Sequence, residues 1–425
     1  MARDLTVKDA YVLMNAVAKQ ATGQTNITVV DASTFVSAGE KVLATGMDNV
    51  FNAITTVLNR TIVAARPYKA RLDLMEETNT GAYSTLVREI SFYSQDALPS
   101  GYFNTDLYTN LADGFTAGQN PDTGNNPQST KSQWEQHQAM PMELFFGGSS
   151  TWQDCVTLYE EKVKQAFRSP EDFNAFVSGY LTEHANDIET QREAWNRVNL
   201  LNKIGSVYDM QELMPGSVIN LTKAFNDRFG TSYTSAQLRS TYMEQFLKFF
   251  VSTFKNVSDF MTERSANYHW SVPKVVGDKT YKVLRHTPYA NQRVYLYEPL
   301  FTEARAWVMP DIFNPDRLDI KKQYQPVTYW QSVNDRAAVK VTPAVVDPNT
   351  GLQKAGTAVD LPYVVGMITD ERGLVTNMGF EVARTTPVEA RKGYRNTWLT
   401  FLKNSMNNNT HNCVLFIMKD PDPGK

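Results

Sequence analysis

Few residues in this chain have the type and spacing that chemistry would require. A metal site with three protein ligands would need several histidines to converge with carboxylates. Only His184, with Asp187 one helical turn further on, has the spacing of a ligand pair on a helix. His184 also falls in an apolar stripe, which favours a packed, hydrogen-bonded histidine over a metal ligand. Histidine occurs at only five positions: His137, His184, His269, His286 and His411.

The short motifs of common enzymes are missing from the sequence. It contains no GxxxxGK[ST], GxGxxG, GxSxG or HExxH string. The string GGSS at 147–150 lacks the lysine of a phosphate-binding loop, and we interpret it as a flexible hinge before a helix. Glu76 and Glu77 are neighbours, and neighbouring residues on a strand point to opposite faces, so we interpret them as solvated charges. We therefore predict no catalytic, cofactor-binding or metal-binding residues, and no cofactor.

Composition excludes several further classes of protein. The 425 residues are 42% hydrophobic and 20% charged, which is typical of a folded chain with two or three packed regions. The 42 basic and 45 acidic residues give a net charge of -3, which argues against a protein whose affinity comes from neutralising phosphates. Cys155 and Cys413 are the only cysteines, so a disulfide scaffold and a cysteine-based zinc site are excluded. The sequence shows neither a signal peptide nor an apolar run of roughly 18 residues, and we expect a soluble protein of a reducing cytoplasm without a membrane partner.

One cluster of basic residues suggests contact with nucleic acid. Cations mixed with an aromatic residue are typical of surfaces that bind single strands. The acidic residues Asp73, Glu76 and Glu77 follow closely and cancel much of the positive field. A subunit–subunit surface held by ion pairs fits equally well, and both interpretations stay open. The cluster consists of Arg60, Arg66, Tyr68, Lys69 and Arg71.

The N-terminal part of the chain reads mainly as helix. Apolar residues at helical spacing predict a helix that starts near Thr6 and stops at Gly23. A short strand-like segment at 27–30 follows, and a second helical pattern starts at Ser33. Pro67 marks a change to extended structure.

Residues 68–146 have a different character. The alternation of apolar and polar residues at 83–94 predicts one strand of a long two-stranded arm. Residues 112–133 are rich in Gly, Asn, Pro, Thr and Ser, and such a segment buries too little apolar surface to order itself. We expect it to be mobile or to be ordered by a neighbour.

The clearest helix of the sequence follows the arm. Ser169 is a good N-cap and Pro170 suits the first helical position. An apolar stripe then continues over many turns, and Gly205 is the predicted end. A second strong helix is predicted from Ser235 to about Phe254.

The remaining third of the chain predicts strands. Segments 281–286 and 293–297 read as strands among many prolines, and 343–362 reads as loop and turn. Residues 397–404 read as helical or mixed, and an Asn-rich turn follows at 407–409. The run CVLFIM at 413–418 is apolar on both faces of the pleat, which is typical of a central strand. The fold class is therefore α+β, with long projecting elements.

This order of elements resembles the major capsid proteins of tailed bacteriophages, which have the Hong Kong 97 fold. The detailed similarity is closest to small podophages of the phi-twenty-nine group. Three segments carry it: FNAITTVLNRTIVAARPYKARLDLMEE at 51–77, MELFFGGSSTWQDCVTLYEEKVKQAFRSPEDFNAFVSGYLTEHAND at 142–187 and RKGYRNTWLTFLKNSMNNNTHNCVLFIM at 391–418.

The resemblance implies a domain organisation. Residues 1–65 would be an N-terminal helical arm and 66–146 the extended E-loop hairpin. Residues 147–266 would form the P-domain with its long spine helix, 267–361 the A-domain and 362–425 the closing strands of the P-domain. Because the last predicted strand lies close to Lys425, we expect no added immunoglobulin-like domain of the kind that some relatives carry.

The resemblance also implies a function and partners. The chain would be a non-enzymatic major capsid protein that assembles with itself, as pentamers and hexamers, into the icosahedral shell around a phage genome. Scaffolding, portal and decoration proteins are further expected partners, and packaged double-stranded DNA would be contacted without sequence specificity. The expected location is the virion, after assembly in the bacterial host cytoplasm. The alternatives are another virion assembly protein, such as a portal, and an unrecognised hydrolase.

Overall fold

The chain folds into a mixed α+β structure, which confirms the fold class predicted from the sequence. A computed structural model describes residues 7–24, 28–62, 72, 76–77, 87–94, 140–146, 150–276, 279–307, 324–347 and 352–420. Among these residues no helix combines the length and the apolar character that crossing a membrane requires.

The described α-helices lie mainly in the first three quarters of the chain, in groups separated by strands. They are α1 (Val7–Thr22), α2 (Ala32–Leu43), α3 (Met47–Ile62), α4 (Glu160–Ala166), α5 (Pro170–Asp209), α6 (Leu221–Phe229), α7 (Ser235–Arg239), α8 (Met243–Thr262) and α9 (Glu298–Trp307).

The described strands are mostly short, apart from three in the four-stranded sheet. They are β1 (Glu76–Glu77), β2 (Val87–Phe92), β3 (Pro141–Phe146), β4 (Ser150–Tyr159), β5 (Val218–Asn220), β6 (Lys274–Val276), β7 (Lys279–Tyr281), β8 (Gln292–Tyr297), β9 (Tyr324–Val327), β10 (Val339–Val341), β11 (Ala344–Val346), β12 (Gln353–Ala355), β13 (Val359–Leu361), β14 (Val364–Asp370), β15 (Leu374–Thr385), β16 (Tyr394–Asn407) and β17 (Cys413–Ile417).

Two sheets organise the body of the protein. The five-stranded sheet has the order β5-β17-β14-β8-β9, in which β14 runs antiparallel to β17 and β8. The four-stranded sheet has the order β1-β15-β16-β4, and β16 pairs with every residue of β4. The prediction that CVLFIM forms a central strand is confirmed, because β17 lies between β5 and β14 and all five of its residues are buried.

Helix α5 connects the two sheets. Its start confirms the prediction, since the Ser169 side chain accepts a hydrogen bond from the Asp172 amide at 3.0 Å and Pro170 is the first helical residue. Its 40 residues correspond to about 60 Å of helix. The predicted end at Gly205 is wrong: a Cβ atom there would lie 2.6 Å from Val341 Cγ1, so this glycine permits close packing and the helix continues to Asp209.

Some other predicted elements differ from the structure. Residues 397–404, predicted as helical or mixed, belong to strand β16, and 343–362, predicted as loop, contains β11, β12 and β13. The GGSS string was predicted to precede a helix, but Ser150 begins strand β4. Strands β16 and β4 pair with each other across more than 230 positions of sequence, which short-range spacing does not report. Strands β11 and β12 instead pair with each other in a local hairpin.

Smaller differences concern element boundaries. The described residues of the strand-like segment, 28–30, form no strand, and the second helical pattern is divided into α2 and α3 at Gly46, whose φ is +94°. The helix predicted from Ser235 is divided into α7 and α8. The segment 293–297 is confirmed as β8, whereas the strand predicted at 281–286 ends at Tyr281.

The apolar core has two main parts. The larger part surrounds the five-stranded sheet and includes the second half of α5 and the buried face of α8. The smaller part joins α1, α2 and α3 to α4 and the first turns of α5. Strand β8, from the predicted A-domain, pairs with β14, from the predicted closing segment, so one sheet contains both segments. The domain limits themselves stay a prediction.

Candidate assembly site at the base of the β2–β3 hairpin

Strands β2 and β3 form an antiparallel pair with two different faces. Ile90 is opposite Glu143, and Phe92 is opposite Pro141. Alternation along β2 directs the buried Ser91 and its neighbours at 89 and 93 toward the body and directs Ile90 and Phe92 outward. The predicted two-stranded arm is therefore confirmed at its base, whereas the predicted loop at 112–133 lies outside the described residues.

Apolar contacts attach the inner face to the body. The Tyr93 ring is buried with Met142 and Val283 in a small cluster of its own. The Tyr93 hydroxyl donates to the Val272 carbonyl at 2.8 Å, and the Ser94 amide donates to the Lys282 carbonyl at 3.1 Å. These contacts hold the end of β2 against the segment around β6 and β7.

A charged network also attaches the inner face of the hairpin base to the body. Arg285 Nη2 donates to Glu89 Oε1 at 2.6 Å and to the Ser91 hydroxyl at 2.6 Å. Glu89 Oε1 also lies 2.9 Å from His411 Nε2, and the Asn408 side-chain amide donates to Glu89 Oε2. The Glu89 carboxylate is thus surrounded by three groups from other parts of the chain.

These neighbours set the charge of Glu89. Burial raises its pKa, but the contacts with His411 and Arg285 outweigh burial and lower the pKa from 4.5 to about 2. Glu89 is therefore ionised at neutral pH, and its charge is compensated inside the fold. A carboxylate held in this way stabilises the attachment of the hairpin, since opposite charges favour the ionised form.

A buried lysine of helix α5 attaches the Asn-rich turn between β16 and β17 to that helix. Lys203 is fully buried, and its Nζ donates to the Asn408 carbonyl at 2.8 Å and to Asn409 Oδ1 at 2.9 Å. Burial lowers the pKa of Lys203 from 10.5 to about 8, although the nearby Cys413 and Asp370 act in the opposite direction. The turn therefore connects α5 on one side with the hairpin base on the other.

The five histidines lie at different places in the chain and do not form one site among the described residues. His411 joins the network, with Nδ1 also 3.7 Å from Asp370 Oδ1. His269 is buried, its Nε2 lies 2.9 Å from the Val283 carbonyl, and burial lowers its pKa. His286 is exposed. His137 and the side chain of His184 lie outside the described residues, so the interpretation of the His184–Asp187 pair stays a prediction.

The remaining candidate residues do not come together in the described structure. Glu76 and Glu77 form β1, which runs parallel to β15, but their side chains are not described. The side chains of the basic cluster at 60–71 also lie outside the described residues. Cys155 is half-buried on β4 and Cys413 is buried. Within the described part of the chain, no three His, Cys, Asp or Glu side chains are grouped so that they could hold a metal ion.

The network at the hairpin base was not predicted from the sequence. It joins residues that are more than 190 positions apart, as the Arg285–Glu89 and Asn408–Glu89 contacts show. The available signal was the polar run NNNTHN at 407–412, which directly precedes an apolar central strand. A polar run in that place needs buried hydrogen-bond partners, but its partners could not be named without the fold.

The arrangement suits attachment better than chemistry. The inner face of the hairpin base is bound to the body, while the outer face leaves three large apolar side chains exposed: Ile90 at 46%, Phe92 at 57% and Phe145 at 58%. Apolar side chains grouped on a projecting element are typical of a surface that another molecule covers. The hairpin base is therefore the candidate assembly site.

Comparison with known proteins identifies the family. The sequence model of the Phi29-like phage major capsid protein family matches residues 94–417, more than half of the chain. None of the curated proteins compared with the chain matches it.

Solved phage structures are similar at low identity. The chain is 11% identical to the capsid structure of Staphylococcus phage Andhra, over 81% of this chain and 83% of that chain, with a TM-score of 0.47. It is 11% identical to a chain in the structure of the head fiber and inner core protein gp22 of bacteriophage P68, over 83% of this chain and 85% of that chain, with a TM-score of 0.49. For the mature capsid of bacteriophage PhiM1 the identity is 9%, over 84% and 89% of the two chains, and the TM-score is 0.38.

The assignment rests on the family match and not on these structural similarities. The family match confirms the interpretation as a tailed-phage major capsid protein, and it favours that interpretation over a portal. The Hong Kong 97-type fold stays a prediction. The chain belongs to the Phi29-like phage major capsid protein family.

Proposed function

We propose that residues 66–146 extend from the hairpin base across a neighbouring copy of the chain in the phage shell. The observation that carries this proposal is the contrast between the two faces of the β2–β3 pair. The inner face is held by the Glu89–Arg285 contact and by buried Tyr93, so it fixes the direction in which the hairpin leaves the body. The outer face keeps Ile90 and Phe92 exposed for a neighbour.

The outer face can supply a contact of intermediate strength. Fully burying a large apolar side chain contributes about 1.5–3 kcal/mol, and the three exposed side chains are already about half covered, so each adds about 1 kcal/mol. A total of about 3 kcal/mol per copy is too weak to hold two subunits alone, because association itself is costly. In a closed lattice such contacts reinforce one another through high effective concentration, and weak single contacts let misplaced subunits leave.

The wider assembly follows from the same interpretation. We propose that copies form pentamers and hexamers of an icosahedral shell in the bacterial host cytoplasm, and that scaffolding, portal and decoration proteins take part. The net charge of -3 suits only non-specific contact with packaged double-stranded DNA. The chain would perform no catalytic step. In this proposal 1–65 is the N-terminal arm, 147–266 and 362–425 form the P-domain, and 267–361 is the A-domain.

Paired substitutions on the outer face test the proposal. The variant Ile90→Asp with Phe92→Asp should yield a folded subunit that fails to form shells, because two charges would have to be buried at the contact. The matched control, Ile90→Val with Phe92→Leu, keeps apolar side chains at both positions and should assemble normally. Circular dichroism checks folding, and electron microscopy with light scattering measures shells. Normal shells from the aspartate variant would contradict the role assigned to this face.

A further inference from the structure

A stripe of polar side chains runs along a buried face of α5. Spacings of three, four and three residues place its members on one side of the helix, and each of them is at most 5% exposed. A buried helix face is normally apolar, because burying a polar group is costly unless the group is hydrogen-bonded. The stripe consists of Asn196, Asn199, Lys203 and Ser206.

The first half of the stripe holds the segment that leads into the hairpin. The Asn196 side-chain amide donates to the Leu72 carbonyl at 2.9 Å, and the Leu72 side chain is buried in the larger core. The Thr376 hydroxyl donates to Asn196 Oδ1 at 3.2 Å, and the Asn199 side-chain amide donates to the Thr376 hydroxyl at 3.4 Å. Thr376 is also the β15 residue that pairs with Glu77 of β1. Leu72 and β1 together form the entry root of the hairpin.

The second half of the stripe holds the turn that contacts the base of the hairpin. In addition to the lysine contacts described above, Ser206 Oγ donates to Asn409 Oδ1 at 3.3 Å and accepts from the Asn407 side-chain amide at 3.1 Å. Asn408 lies between these two asparagines, and its side-chain amide donates to the Glu89 carboxylate on β2. The turn at 407–409 and Glu89 together form the base root of the hairpin.

One helix therefore contacts both roots. Asn196 and Ser206 are ten residues apart on α5, which corresponds to about 15 Å along a helix. The adjacent apolar stripe of Leu200, Ile204 and Val207 packs in the larger core through contacts that have no preferred direction, whereas hydrogen bonds weaken steeply when their distance or angle changes. A hydrogen bond adds little net stability, but a buried polar group without its partner is costly. The polar stripe therefore selects one position of α5 more than it stabilises the fold.

We propose that the polar stripe of α5 is a positioning device, which fixes both roots of the hairpin on the helix and so sets the direction in which the hairpin leaves the body. Buried polar residues specify the register of packed helices in the same way. The inference rests on the proposed function, because this direction matters only if the hairpin crosses a neighbouring copy. It adds that the geometry between copies is controlled by residues buried inside the subunit.

Amide hydrogen exchange on the full chain tests the positioning role. Asn196→Ala removes the hydrogen bond of the stripe to the entry root, and Ser206→Ala removes two hydrogen bonds to the base root. The matched control is Asn202→Ala on the same helix, because Asn202 Oδ1 accepts from the Ala344 amide at 2.7 Å, outside both roots. Each variant thus loses a hydrogen bond between α5 and a segment that is distant in sequence. Ser206→Ala removes only a hydroxyl, so it keeps the test decisive if Asn196→Ala does not fold.

The proposal predicts where exchange rises in each variant. In Asn196→Ala, exchange should become about tenfold faster in β1 and in the β15 residues paired with it, which is the effect of one lost hydrogen bond. In Ser206→Ala, the same change should occur in β2 and β3. Asn202→Ala should leave the amides of both roots unchanged. The same exchange at the roots in all three variants, whether raised or unchanged, would overturn the proposal.

The uniformity of shells tests the consequence for assembly. The double variant Asn196→Ala with Ser206→Ala should form shells with a wider range of diameters than the wild type in electron micrographs, whereas Asn202→Ala shells should keep the wild-type range. Shells of the double variant that are as uniform as wild-type shells would also overturn the proposal. The exchange experiment uses free subunits, so it decides on the stripe even if the aspartate variant of the outer face forms normal shells and the proposed function fails.

Discussion

The attachment of the hairpin can be tested by removing one charge. Glu89→Gln keeps the shape of the side chain but removes the negative charge that faces Arg285 and His411. The pKa of Glu89 falls from 4.5 to about 2, which at about 1.4 kcal/mol per pH unit corresponds to about 3 kcal/mol of stabilisation at neutral pH. We expect the substitution to remove most of this from the hairpin base.

Amide hydrogen exchange on the full chain measures the effect locally. A loss of about 3 kcal/mol raises exchange about 100-fold, and we expect this at amides of β2 and β3 but not in α8. Because the pKa of Glu89 is lowered in the fold, its stabilisation is present above about pH 4.5 and is lost as the pH falls toward 2. The wild-type hairpin should therefore lose protection in that window, and the Glu89→Gln hairpin should show no such step.

The control is Glu244→Gln on α8, which removes the same charge from an exposed pair with Lys248. Exposed pairs contribute at most about 1 kcal/mol, so exchange in the hairpin should not change. The reasoning is refuted if Glu89→Gln leaves β2 and β3 as protected as in the wild type. It is also refuted if protection falls equally throughout the chain, since the network would then support the whole fold and not the hairpin base.

Three further predictions concern α5 and are measured by urea unfolding. Gly179→Ala should stabilise the protein by about 0.5–1 kcal/mol through helix propensity, because nothing lies within 4 Å of the added Cβ. Gly205→Ala should destabilise the protein by about 1–3 kcal/mol, because its Cβ would clash with Val341. Equal effects of the two substitutions would contradict the packing argument. Ser169→Ala should cost about 1 kcal/mol through the lost N-cap, and Ser169→Asp should not. Lys203→Met should destabilise the protein by about 2–4 kcal/mol, because the buried Asn408 carbonyl loses its lysine donor and Asn409 Oδ1 keeps only the Ser206 hydroxyl at 3.3 Å. It should also remove a rise in stability between about pH 8 and 10.5, where the folded wild type binds fewer protons than the unfolded chain.

Local signals in the sequence were sufficient where neighbouring residues decide the structure. Ser169 and Pro170 specify the start of α5 through an N-cap hydrogen bond and a fixed φ, so the prediction was right to the residue. The run 413–418 is apolar on both faces, which only the centre of a sheet accommodates. Both signals depend on chemistry within a few residues.

Local signals in the sequence were misleading where contacts between distant residues determine the structure. In the sequence Gly205 resembles the end of a helix. In the structure its lack of a side chain makes room for Val341, which lies 136 positions further along the chain. Strand β16 resembled a mixed segment because its partners, β4 and β15, lie elsewhere in the chain. The candidate site was not predicted for the same reason. In the sequence Glu89 looks like an ordinary carboxylate on a strand, and only the fold brings Arg285 and His411 next to it.

Electron cryo-microscopy of shells assembled from the purified chain tests the central claim most directly. We expect closed shells in which the segment between β2 and β3 of one copy crosses the body of an adjacent copy, with Ile90 and Phe92 covered at that contact. Shells in which this segment folds back on its own subunit, with both side chains still exposed to solvent, would contradict the claim.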